Sequence, residues 1–183
     1  QLRGDFRRDG GVPVAGADRM LLKEQTVVKD LLALGRLAVT SSDDLALAEV
    51  LKSPLFDPDD GGQPVIDDDA LFDLAQSRPT TDRGGLWRAL LTTDDARFAE
   101  AREALKAWRD KAETIGVYAL YAGFLNAASV TGETRWARIF ARLSEEARDA
   151  AEEFLNRALE HDREGGGALA SFIAVIEREE TPV

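Results

Sequence analysis

The sequence predicts an all-α fold: a compact multi-helix domain of about eight or nine helices, with one short strand at its N-terminus. Three observations carry this. Apolar residues recur three and four positions apart along most of the chain, which lines one face of a helix. Clusters of Ser, Thr and Asp, with scattered prolines, punctuate these stretches where helices start and stop. A strand pattern occurs once, at Val12, Val14 and Ala15, and Gly16 closes it.

Each element follows in order. Val27, Leu31, Leu34 and Ala38 share one helical face, and Val28, Leu32 and Gly35 broaden it, so the first helix is expected to be well buried. "TSSDD" is a helix start, because Ser42 or Asp43 can cap free N–H groups and acidic residues suit the helix dipole. The helix it opens, about Asp44 to Lys52, stops at Ser53-Pro54. "DPDDGGQPVIDDD" (57–69) has the composition of an exposed loop, and Asp67 to Asp69 cap a short helix carrying Leu71, Phe72 and Leu74. A second loop, "SRPTTDRGG", leads to a short helix around Leu86 to Leu91 and a capped start at "TTDD".

A long helix striped by Phe98, Ala101, Leu105, Trp108 and Ala112 comes next. Gly116 breaks the pattern before Val117, Leu120, Tyr121, Phe124 and Ala128, and the following face is Trp136, Ile139, Phe140 and Leu143. Ser144 with Glu145 and Glu146 restarts a helix whose inner face is Ala147, Ala151, Phe154 and Ala158. "GGG" at 165–167 separates it from a last helix bearing Leu169, Phe172, Ile173 and Ile176. No internal repeat at a fixed period is visible.

Composition narrows the classes. A chain of 183 residues can bury a sizeable core. No apolar run approaches the roughly 20 residues of a membrane span, and no signal peptide is visible, so no membrane partner is expected. The chain opens on Gln instead of Met, as a processed or excised piece would. The absence of cysteine excludes disulfides and thiolate metal sites and fits a reducing, cytoplasmic setting. Net charge is −11, from 23 basic and 34 acidic side chains, so any DNA contact has to come from a local patch working against the overall field.

The strand and glycine of "GVPVAGADRM" (11–20) invite a nucleotide-site reading, which the local chemistry rejects. A phosphate cradle needs a lysine–hydroxyl pair after its glycines, and here Ala17, Asp18 and Arg19 follow Gly16. The dinucleotide spacing fails as well, since Gly11 and Gly16 are wrongly placed and no second βαβ unit follows. A lone strand needs a sheet to join, and no partner strand is apparent downstream.

The stretch "GVPVAGADRMLLKEQTVVKDLLALGRLAVTSSDDLALAEVLKSPLF" (11–56) resembles a segment of UvrD-like superfamily-one DNA helicases, most closely the AddA-type helicase–nuclease subunits of double-strand-break repair. Gly16, Glu24, Lys29-Asp30, Leu31 to Leu37, Asp43-Asp44 and Pro54 carry it. The resemblance implies a fragment: residues 1–16 a remnant of the second motor domain and its sheet, and 17–183 a helical accessory, 2B-like domain. It implies a non-catalytic role in an ATP-dependent DNA helicase, guiding DNA and setting motor-domain geometry. ATP and Mg²⁺ belong to the parent protein and no cofactor to this piece, which is expected to be inactive alone. DNA, through the parent, and a partner nuclease subunit of an AddAB-like complex are the implied partners. After Pro54 the chain departs from the UvrD pattern, having Leu55-Phe56-Asp57-Pro58 where that family has a duplex-contacting Gly-Ile-Gly element. The competing reading is an interaction module that docks the partner nuclease subunit without touching DNA.

Two cationic rows are candidate DNA tracks. Arg135, Arg138 and Arg142 fall on one helical face opposite Trp136, Ile139, Phe140 and Leu143, and Arg102, Lys106 and Arg109 form a second row. A solvated outer face paired with nearby glutamates is the plainer account of either row. The loop at 57–69 lacks the position-5 ligand and terminal glutamate of a calcium loop, and "RGD" at Arg3 to Asp5 has no secretion signal behind it. His161, the single histidine, reads as a surface residue. Trp108 and Trp136 read as core residues by their spacing, with base stacking the alternative for the tryptophans.

Overall fold

The computed structural model describes residues 21–40, 42–56, 65–78, 85–129 and 132–178. Among them are nine α-helices and no sheet. The helices are α1 (Thr26–Val39), α2 (Asp44–Lys52), α3 (Asp68–Gln76), α4 (Gly85–Thr92), α5 (Ala99–Ala112), α6 (Val117–Asn126), α7 (Arg135–Arg142), α8 (Glu145–Arg163) and α9 (Leu169–Arg178). The expected strand at 12–15, the 1–16 segment, "RGD" and most of the 57–69 loop lie outside the described residues. No helix among the described residues is long and apolar enough to cross a membrane.

Helix α1 is the axis of the fold. It is apolar nearly all round, so Val27, Val28, Leu31, Leu32, Ala33, Leu34 and Leu37 are all buried, and α2, α5, α8 and α9 pack about it. Two of its carbonyls accept side-chain donors from the neighbouring hairpin. Trp108 Nε1 donates to Leu34 O at 3.0 Å, and the Tyr121 hydroxyl donates to Leu31 O at 3.0 Å. Each polar edge of a buried ring is thereby satisfied. Gly35 lets Tyr121 come this close: a Cβ there would press on the Tyr121 hydroxyl and sit 2.8 Å from Ile173 Cδ1. Trp108, Tyr121, Phe124, Phe154 and Phe172 extend the core in edge-to-face pairs with centroids 4.9–6.2 Å apart.

Side-chain caps at the helix starts follow two patterns. Some are local: Asp43 accepts from Ala46 N at 2.9 Å, Asp67 from Ala70 N at 2.8 Å and Thr134 from Ala137 N at 3.2 Å. Others come from a distance. Asp44 Oδ1 accepts from Leu86 N at 2.7 Å, at the start of α4. Asp162, near the end of α8, receives Val117 N and Tyr118 N at 2.9 Å each and so closes the N-terminus of α6. Two sequence expectations need adjusting. Phe98 lies in a single 3₁₀ turn (Ala96–Phe98) ahead of α5, although it is fully buried as expected. Phe72 does not join the core but is 62% exposed, leaving Ala70 and Leu74 to hold α3.

Candidate functional site

Helix α7 buries two residues of its arginine row, while Trp136, Phe140 and Leu143 of its expected inner face pack, partly buried, against the core. Arg135 and Arg138, expected on an outer face, are 3% and 0% exposed, and only Arg142 of that row lies at the surface. The expected inner residues Trp136 and Phe140 are half-buried instead, stacked on each other at 4.8 Å with the Arg148 guanidinium over Phe140. Ile139 alone of the pattern is fully buried.

The buried arginines are held by Glu100, from the first turn of α5. Arg138 grips it with two bonds, Nη1 to Oε1 at 3.0 Å and Nη2 to Oε2 at 3.1 Å. Its Nε reaches Glu133 at 3.3 Å, and Nη1 also donates to Leu55 O at 3.2 Å. This is the fork geometry that suits arginine to a buried carboxylate. Arg135 is less well served. It reaches the already occupied Glu100 Oε1 at 3.3 Å and Phe124 O at 3.3 Å, and its Nε has no acceptor. Its guanidinium lies over Phe124 at 4.4 Å and Phe56 at 5.4 Å. Burial pulls the Arg135 pKa below its usual value, and Arg138 adds to that while Glu100 opposes it. A three-residue solvent-facing track on α7 is therefore corrected to an ion-pair cluster joining α5, α7 and the turn after α2.

The second row fares differently. Lys106 is exposed, but Arg102 and Arg109 are half-buried. Arg102 donates to Thr93 O, and Arg109 lies over the Trp87 ring at 4.5 Å. Neither points freely to solvent as a phosphate contact would.

One concavity among the described residues was not apparent in the sequence. Helices α5 and α6 form an antiparallel hairpin, and between them runs an apolar groove of about 560 Å³. Ala104, Ala107 and Trp108 line one wall, and Ala119, Gly123 and Phe124 the other. Lys111 and Ile115 stand at the hairpin turn; Glu100 and Arg135 stand at the far end. A Cβ added at Gly123 would meet nothing within 4 Å, so the groove is open there. The sequence signal was the run of small residues at 119, 123 and 127, hidden because the apolar pattern of α6 was assigned wholly to the core. A second concavity of about 500 Å³ adjoins it through Ile115, with Val39 and Leu169 on its walls.

The remaining candidates do not assemble a reaction centre. His161 is half-buried against Phe172, and the Ser171 hydroxyl sits 3.2 Å from its Nε2 but also within hydrogen-bond distance of Gly166 O and Ala168 O. Among the described residues no group of three or more His, Asp or Glu could hold a metal ion. Trp108 is buried, as its spacing predicted, and Trp87 and Trp136 are half-buried. No protein-family model matches the chain, and neither a curated protein nor a solved structure does.

Proposed function

We propose that this chain is a non-catalytic helical accessory domain of an ATP-dependent DNA helicase of double-strand-break repair, and that it works by docking a partner protein in the α5–α6 groove. The helicase setting is supported by the resemblance of residues 11–56 to UvrD-like helicases. In that setting ATP and Mg²⁺ act in the parent's motor domains, and the docked protein is the nuclease subunit of the complex. The docking role is supported by one observation above all: an apolar groove of about 560 Å³, open at Gly123, on a surface carrying net charge −11.

The burial of Arg135 and Arg138 favours docking over DNA guidance, because a phosphate track needs cations at the surface. Titrating the chain with forked DNA at about 50 and 200 mM salt tests this. The docking reading expects no micromolar binding at either concentration. Salt-dependent micromolar binding that is lost in Lys106→Glu would restore DNA guidance through α5.

A further inference from the structure

We draw no further inference here: the strongest candidate, the apolar groove between α5 and α6, belongs to the site already described, and with Glu100 and Glu103 beside Arg135 and Lys111 in its lining nothing in the structure shows what covers it.

Discussion

Replacing Glu100 by Gln tests whether the α5–α7 cluster is a sealed ion-pair network. Glu100 accepts three guanidinium bonds, at 3.0, 3.1 and 3.3 Å, from two arginines that are 0% and 3% exposed. Gln keeps the shape but removes the charge and turns an N–H₂ group toward donors. Removing one partner of a buried pair costs about 3–5 kcal/mol, because the remaining charge stays buried without compensation. The Glu100 side chain is itself 25% exposed, and Glu133 still reaches Arg138, so a smaller cost, about 2–4 kcal/mol, is expected. With a urea slope of about 2 kcal/mol per molar, the unfolding midpoint should fall by roughly 1–2 M. Glu103→Gln, at a side chain 74% exposed, should move it by less than about 0.3 M. In a double-mutant cycle, Glu100→Gln and Arg138→Met should together cost at least about 1 kcal/mol less than the sum of their separate effects. A Glu100→Gln midpoint within about 0.3 M of the parent chain would refute the sealed cluster and put both arginines within reach of water.

Other substitutions probe other parts of the fold. Asp30 is half-buried, and burial first, then the nearby Glu49 charge, raises its pKa from 3.8 to about 7. The folded chain thus holds this proton more tightly than the unfolded one, so the associated stability is full below pH 3.8 and is lost as pH rises through about 7. Asp30→Asn should flatten that slope and stabilise the protein by roughly 2–4 kcal/mol at pH 8 relative to pH 4, read from urea midpoints at both; a parallel pH dependence in the two proteins would refute it. Gly35→Ala should destabilise by about 2 kcal/mol or more through its clash with Tyr121 and Ile173, and Tyr121→Phe in the same chain should recover part of the loss. Gly123→Ala, by contrast, should raise thermal stability by about 0.5–1 kcal/mol, since the helix gains propensity and the new methyl meets nothing. Asp162→Ala should cost about 1–2 kcal/mol by leaving the first amides of α6 without their acceptor, measured as the loss of hydrogen-exchange protection at Tyr118.

The helical order of the chain was legible because its stop and start signals are local. Asp43 and Asp67 cap where the sequence placed them, and α2 runs over Asp44–Lys52 as expected. Alanine and leucine spacing likewise picked out the buried faces of α1, α8 and α9. The burial of two α7 arginines was not legible, since a periodic pattern reports which residues share a face and not which faces are covered. In "RWARIFAR" Arg135 and Arg138 are buried because Glu100, 35 positions upstream of Arg135, supplies the compensating charge. That partner lies in another helix and leaves no mark in the local sequence. The groove was hidden for a related reason: apolar spacing on α6 serves the core through Val117, Tyr121 and Phe124 while its small residues face outward. Distant caps are equally silent, as Asp44 and Asp162 look like ordinary helix-end acids until the fold brings Leu86 and Val117 to them.

The Asp162 cap carries a consequence for the order in which the molecule assembles. Val117 and Asp162 are 45 positions apart, so the start of α6 gains its acceptor only after the chain has closed a long loop and α8 has come into place. An α5–α6 hairpin emerging alone would have an unsealed first turn on one wall of its groove, with Trp108 and Tyr121 still awaiting the α1 carbonyls that receive them. The groove thus becomes a defined surface late, when the last third of the chain is in place. A chain truncated before α8 should lose ordered amide protection in α6 along with the groove, while α2 and α3 retain the local Asp43 and Asp67 caps written into their own sequence.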